Sequence, residues 1–239
     1  MKTTSKAHVN RTLSEYLFER FCDERKIPWT RIAEGETRTP DYDIFPGTTP
    51  VVVEVKEIER NPEEIANDKL LEERGCGNAI GGTPGGRIRS KIVSSSGQIK
   101  ARAQGRDPSM LVIFDDRGEI PNLDSYSIRV AMYGLEQINV AVPPIGQGSP
   151  FAIGMSYGPK RKMTPEHNTS ISAIAPLITI ASDKFVMLVY HNQFAKVPLP
   201  PALLAPYGIR QFRLGEAPHG RTANWIEISP NEGFSDRGP

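Results

Sequence analysis

The sequence is short of cysteine and has no long apolar run, and each shortage excludes a class of protein. Its 239 residues include two cysteines, Cys22 and Cys76, which give no disulfide framework and no zinc-ligand spacing. No segment approaches the ~20 consecutive apolar residues that a membrane-spanning helix needs. Residues 1–6 also lack the apolar core of a signal peptide. We therefore expect a protein of the reducing cytoplasm.

Net charge is also small, and it decides little about partners. The chain has 29 Lys and Arg against 28 Asp and Glu, a formal net charge of +1. The distribution is more informative, because residues 85–106 contain cations and no acidic residue. The cations of this block are Arg87, Arg89, Lys91, Lys100, Arg102 and Arg106. Such a block is able to contact phosphates, and a solvated helix face is an equally open interpretation.

Candidate chemistry is concentrated in residues 39–44 and 51–56, which are joined by a short turn. The second segment, Val-Val-Val-Glu-Val-Lys, predicts a strand buried on at least one face. Side chains alternate along a strand, so Glu54 and Lys56 point to one side and Val53 and Val55 to the other. Residues 46–50, Pro-Gly-Thr-Thr-Pro, are typical of a turn.

This turn lets the first segment fold back and bring Asp41 or Asp43 beside Glu54. Charged groups in a valine-rich strand are costly to bury unless something compensates them. A hard divalent cation held by Asp41 and Glu54, with Lys56 at its rim, would do so. The alternative without metal is an exposed Glu54–Lys56 pair on a sheet face, with Asp41 capping a turn.

The residues Pro40-Asp41 and Glu54-Val55-Lys56 resemble the motif of the PD-(D/E)XK nuclease superfamily, which has the restriction-endonuclease-like fold. The resemblance implies that Asp41 and Glu54 bind Mg²⁺ or Mn²⁺ and that Val55 lends the ion a backbone carbonyl. It also implies that Lys56 positions or activates the attacking water. A Glu-X-Lys tripeptide alone is common, but its conjunction with a preceding helix, a Pro-Asp and a turn is more specific.

The helix before the motif is predicted at residues 11–26, where apolar side chains recur at helical spacing. It carries Glu15 and Glu19 one turn apart on a shared face. In the resembling family a glutamate of this helix faces the metal site, and Glu15 suits that role better than Glu19 does. An ordinary exposed helix glutamate remains the alternative for both.

A further helix is predicted at residues 87–103, after the motif. In many members of the resembling family this helix supplies a Gln or a Lys to the site. Gln98 matches that position best, and Lys91 lies on the same face. A solvated side chain is the alternative for Gln98. The cations expected to contact nucleic acid on this helix are Arg87, Arg89, Lys91, Lys100 and Arg102.

The whole pattern predicts an α/β protein with a restriction-endonuclease-like mixed sheet flanked by helices. We expect a nuclease core at residues 1–145 and a β-rich extension at 146–239, packed on the same domain. Further helices are predicted at 61–74 and 125–137, and further strands at 29–33, 110–114, 138–142, 151–157, 170–180 and 185–190. Most of the last 40 residues read as an irregular, proline-rich segment with a strand near 225–228.

Three functional hypotheses follow. The first is a magnesium-dependent nuclease acting on DNA, with RNA left open, either as a homodimer or within a larger assembly. The second is a catalytically silent nucleic-acid-binding or interaction protein that keeps the nuclease fold. The third is a structural domain without metal. The complete set of Asp41, Glu54 and Lys56 favours the first, because a binding module has no need of two clustered carboxylates facing phosphates.

Overall fold

The structure is a computed structural model that describes residues 11–33, 35, 38–77, 82–117, 123–181, 184–215 and 223–228. The helices formed by these residues are α1 (Leu13–Arg25), α2 (Pro62–Arg74), α3 (Gly86–Ala103), α4 (Ser125–Tyr133) and α5 (Pro201–Leu204). The strands are β1 (Trp29–Arg31), β2 (Tyr42–Ile44), β3 (Val51–Ile58), β4 (Ser109–Asp115), β5 (Glu136–Ala141), β6 (Phe151–Tyr157), β7 (Ala173–Ala181), β8 (Lys184–His191), β9 (Arg210–Leu214) and β10 (Trp225–Glu227).

Eight strands form one mixed sheet in the order β1-β2-β3-β4-β7-β8-β9-β10. The antiparallel hairpin of β2 and β3 leads into a parallel centre of β3, β4 and β7. Strand β8 then reverses direction, β9 runs parallel to β8, and β10 closes the edge antiparallel to β9. The predicted mixed α/β sheet flanked by helices is therefore confirmed. Strands β7 to β10, from the segment expected as an extension, continue the same sheet.

Helices cover both faces of this sheet, and each face has its own apolar core. Helix α1 packs through Phe18 and Phe21 against the valines of β3, including Val53 and Val55. Helices α3 and α4 cover the opposite face. Right-handed crossovers explain this arrangement, because β3, β4 and β7 are added in one direction and their connections stay on one side. Helix α5 packs through Leu204 on the α1 side, after the strand direction has reversed.

Local signals account for most element boundaries. Helix α1 begins at a capping box, in which Thr12 and Glu15 bond each other's backbone N–H groups.

Cys22 is buried in this helix, as its position on the apolar stripe predicted, and Cys76 is exposed. Among the described residues, no helix combines the length and apolarity needed to cross a bilayer.

Two predicted boundaries are wrong. The helix predicted at 125–137 ends at Tyr133, because Gly134 adopts a φ of 100° and turns the chain into β5. Strand β5 accordingly begins at Glu136 rather than at residue 138. The segment predicted as irregular contains α5 and β9.

Two glycines next to and within α3 give opposite expectations. A Cβ on Gly85, whose φ is +67°, would lie 2.9 Å from the Ala131 nitrogen and closer still to the Ser127 carbonyl oxygen. We expect Gly85→Ala to destabilise the protein by about 2–4 kcal/mol, since left-handed backbone and a rigid clash combine. Gly97 has no atom within 4 Å of that position. Gly97→Ala should therefore stabilise the helix by about 0.5–1 kcal/mol.

Urea unfolding of the two variants beside wild type measures both effects. A Gly85→Ala protein as stable as wild type would contradict the described packing of α3 against α4.

Candidate active site

The hairpin of β2 and β3 brings two carboxylates together. Its register pairs Tyr42 with Val53, so Asp41, one residue earlier, adjoins Glu54. One carboxylate oxygen of Asp41 accepts a hydrogen bond from the backbone N–H of Val55 at 2.7 Å. Strand pairing and this bond therefore fix the first carboxylate beside the second.

Glu54 is the most buried of the candidate residues, with an exposed fraction of 0 %. Its Oε1 accepts hydrogen bonds from the Lys56 ammonium and from the Gln98 side-chain amide. The same amide donates to the Thr39 carbonyl at 3.2 Å. The other oxygen of Glu54, Oε2, is buried and has no hydrogen-bond partner among the described residues. A buried acceptor without a partner is costly and is a feature of sites built to receive a ligand.

Burial raises the pKa of both carboxyl groups. Burial raises the pKa of Glu54 to about 7, the charge of Asp41 adds to the rise, and Lys56 and Gln98 oppose it. The pKa of Asp41 is raised mainly by burial, against the lowering effects of the Val55 N–H and the Lys56 charge. The pair therefore favours a proton or a cation between its oxygens near neutral pH.

Glu15 lies near this pair but is engaged elsewhere. Its negative charge contributes to the raised pKa of Asp41, which places it in electrostatic reach. One of its oxygens accepts the Thr12 backbone N–H at 2.8 Å, and the other pairs with Arg31 at 2.9 Å. Glu19, the less favoured alternative, accepts the Tyr42 hydroxyl at 2.8 Å. The part that Glu15 plays at the site stays a prediction.

The donor set fits a hard divalent cation that takes only a few of its ligands from the protein. No group of three or more His, Cys, Asp or Glu side chains suited to a metal occurs in the described part of the chain. Mg²⁺, however, usually retains several waters and is held by one or two carboxylates. Asp41 and Glu54, with the unpartnered Oε2, match that mode. Val55 has its side chain in the core and its N–H on Asp41, and its carbonyl as a metal ligand stays a prediction.

Helix α3 runs antiparallel along β3 and delivers side chains to successive levels of the strand. At one end Arg87 donates to the Glu59 carbonyl at 2.6 Å and pairs with Glu64 at 2.8 Å. In the middle Gln98 bonds Glu54. At the other end Arg102 pairs with Asp43 on β2, while half of its side chain remains exposed.

The predicted phosphate-contacting cations therefore differ in accessibility. Lys100 is exposed and Lys91 is half-buried at the surface. Arg89 is buried at 6 % exposure and donates to the Pro84 carbonyl at 3.0 Å. The prediction that Arg89 contacts phosphate is not compatible with this placement, because the residue is almost fully buried and its guanidinium donates to the protein's own backbone.

Two further polar groups lie near the site: Asp43, which the sequence offered as an alternative neighbour of Glu54, and Ser95, which it did not single out as a candidate. Asp43 is buried on the same face as Asp41, with Oδ2 on Arg102 and Oδ1 without a partner among the described residues. Ser95, one turn before Gln98, also has a buried hydroxyl with no partner in the described part of the chain. The spacing of Ser95, Gln98 and Arg102 at steps of three and four was a signal that could have identified this helix face.

Comparison with known proteins adds no relative. No family model, curated protein or solved structure matches this chain. The likeness of Pro40-Asp41 and Glu54-Val55-Lys56 to the nuclease motif therefore rests on these residues alone.

The raised pKa of Glu54 predicts a particular dependence of stability on pH. Its pKa near 7 in the folded state exceeds the ordinary 4.5, so between these values the folded protein binds a proton that the unfolded chain has lost. Wild-type stability should therefore fall as the pH rises through this window. Glu54→Gln lacks this loss and should gain about 2–3 kcal/mol relative to wild type between about pH 4.5 and pH 7.5.

Urea unfolding in the presence of a chelator measures the difference between the two proteins at each pH. Glu72→Gln, on the exposed surface of α2, is the matched control and should follow wild type. A constant difference between Glu54→Gln and wild type across the window would show that Glu54 is ionised normally.

Proposed function

We propose that this chain is a divalent-metal-dependent nuclease of the restriction-endonuclease-like kind, hydrolysing phosphodiester bonds of DNA. One observation carries the proposal. Glu54 is a fully buried carboxylate beside Asp41, with one oxygen held by Lys56 and Gln98 and the other without a partner among the described residues. Such an arrangement has a cost in stability, which a bound cation would offset.

Asp41 and Glu54 are the residues that would hold Mg²⁺ or Mn²⁺, with the Val55 carbonyl as a further ligand. The ion, when bound, neutralises charge on the phosphate and activates water. The chain's own groups prepare that position. The Val55 N–H holds one oxygen of Asp41, and the Gln98 amide holds Oε1 of Glu54, so Oε2 is left available.

Lys56 is suited to act on the phosphate rather than on the protein core. Its side chain is 29 % exposed, whereas Glu54 beneath it is fully buried. Its ammonium group therefore lies at the boundary between the carboxylates and solvent. A positive charge there favours the attacking water and the charge that develops on phosphate oxygens in the transition state.

The cations of helix α3 favour a nucleic-acid substrate. The helix places Gln98 at the site and carries surface cations on both sides of this residue. Lys91 precedes Gln98 by two turns, and Lys100 and Arg102 follow it within about one turn. A backbone lying across the carboxylates would pass both groups of cations. We propose DNA as the substrate, and RNA oligonucleotides belong in the same assay.

A catalytically silent nucleic-acid-binding protein is the second candidate, and two observations favour it. Lys56 already neutralises Glu54 without a metal, and no third carboxylate joins the pair in a metal-binding group within the described residues. The two candidates differ in one measurable respect. Only the nuclease cleaves DNA when Mn²⁺ or Mg²⁺ is supplied.

The variants of the carboxylates and of Lys56 should separate metal binding from cleavage. Asp41→Ala and Glu54→Ala should abolish Mn²⁺ binding in calorimetry while the protein stays folded. Lys56→Ala should bind Mn²⁺ equally or more tightly, because an ammonium repels the ion. Its cleavage rate should fall by about a hundredfold or more, since it loses transition-state stabilisation.

Glu72→Ala controls for the loss of a carboxylate elsewhere and should retain both properties. Single-stranded, duplex and branched DNA, with matched RNA, cover the substrate classes. Full cleavage by Lys56→Ala, or Mn²⁺ binding by Glu54→Ala, would refute the assignment of the site.

Salt dependence tests the cations of α3. The double variant Lys91→Ala/Lys100→Ala should bind duplex DNA more weakly, and the slope of log K against log salt should be reduced by about 1–2. Each phosphate contact that is lost lowers the number of counterions released on binding. Lys184→Ala, on the exposed start of β8, is the control and should keep the wild-type slope. An unchanged slope in the double variant would assign both lysines to a solvated face.

A further inference from the structure

Strands β5 and β6 form a hairpin of their own, separate from the eight-stranded sheet. Its base is anchored, because Glu136 pairs with Arg129 at 2.6 Å and the Tyr157 hydroxyl donates to the Ala223 carbonyl at 3.3 Å. Beyond this base, residues 137–140 and 144–153 are all exposed. The hairpin therefore projects from the domain with both of its faces uncovered.

The projecting part is apolar. Three β-branched residues of β5 and its continuation, Ile138, Val140 and Val142, alternate along the strand and share one face. The pairing of Ile138 with Met155 and of Val140 with Ala152 places Ile153 beside them. The exposed fractions are 64 % for Ile138, 50 % for Val140, 74 % for Val142, 105 % for Ile145, 58 % for Phe151 and 61 % for Ile153.

No charged residue occurs from residue 137 to residue 159. Natural proteins protect exposed strand edges with charges, prolines or bulges. This hairpin has an irregular register between Asn139 and Val140, but no charge along either strand between Glu136 and Lys160. A two-stranded hairpin is also marginally stable in water unless further strands or a packed face support it. The hairpin thus combines strand edges without charge and a need for a packed face.

We propose that the β5–β6 hairpin is a dimerisation surface, and that it docks on the same hairpin of a second copy of this chain. In a two-fold interface every group near the axis meets its own copy, so a charge there would be repelled. A charge-free apolar face is complementary to itself. Joining the hairpins would also give each a packed face or a third and fourth strand.

The area is sufficient for such an interface. With roughly 150 Å² for a large apolar side chain, the six exposed residues offer on the order of 600 Å² per copy, so a dimer hides about 1,200 Å². That figure lies at the lower limit for specific interfaces and at the upper limit of apolar patches on monomers. A nucleic acid is disfavoured as the occupant, because the surface offers phosphates no cation. The inference does not depend on the proposed nuclease activity.

Sedimentation equilibrium of the full chain tests the proposal. Wild type should form a dimer at micromolar concentration, and Val140→Lys and Ile153→Lys should each weaken it at least tenfold. Leu71→Lys is the matched control, since Leu71 is 51 % exposed on α2 outside the hairpin, and it should dimerise as wild type does. Both hairpin positions are exposed, so folding, checked by circular dichroism, should be preserved.

Amide hydrogen exchange of wild type gives an independent readout. Protection within residues 136–157 should increase with protein concentration, while protection of β3 and β4 should not change. A wild type that stays monomeric, or hairpin variants that dimerise like wild type, would overturn the proposal. A monomer that floats with phosphatidylcholine vesicles through this hairpin would also overturn it, in favour of a lipid surface.

Discussion

The desolvated carboxylate of Glu54 is the constraint on which the surrounding arrangement depends. It lies on a strand of valines and has no access to solvent. Its burial is tolerable because an ammonium from the same strand and an amide from α3 converge on Oε1. The Gln98 amide also bonds the Thr39 carbonyl, so the group that satisfies Glu54 ties α3 to the chain just before β2. Compensation of one charge thus joins three segments.

Much of the site could be predicted from the sequence because short-range rules determine it. Alternation along β3 separates Glu54 and Lys56 from the valines, and the turn at residues 46–50 brings Asp41 back to Glu54. The resemblance to the nuclease motif selected Gln98, and the structure places its amide on Glu54. Periods of two and of 3.6 residues were sufficient to orient these side chains.

The predictions that failed depended on contacts that charge and periodicity do not specify. Charge alone did not distinguish Arg89 from Lys91, because the Pro84 carbonyl that receives Arg89 is defined by the fold. Strand β9 was missed because one of its inward residues is polar. Gln211 is buried and bonds His191 at 3.0 Å and the Pro201 carbonyl at 2.7 Å, so its place is set by β8 and α5. A buried glutamine is not a strand signal in sequence.

Two features of the fold lack a partner, the buried Oε2 of Glu54 and the exposed apolar face of the β5–β6 hairpin, and they lie in different parts of the fold. At Glu54 a buried oxygen between β2, β3 and α3 lacks a hydrogen-bond donor or a cation. On the β5–β6 hairpin, which belongs to the connection between α4 and β7 outside the main sheet, apolar side chains lack a covering surface. Covering the hairpin leaves the ladder of β2 and β3 unchanged, because no strand pairing links them. The proposed dimerisation and the proposed cation binding therefore involve separate parts of the fold, and neither requires the sheet to rearrange.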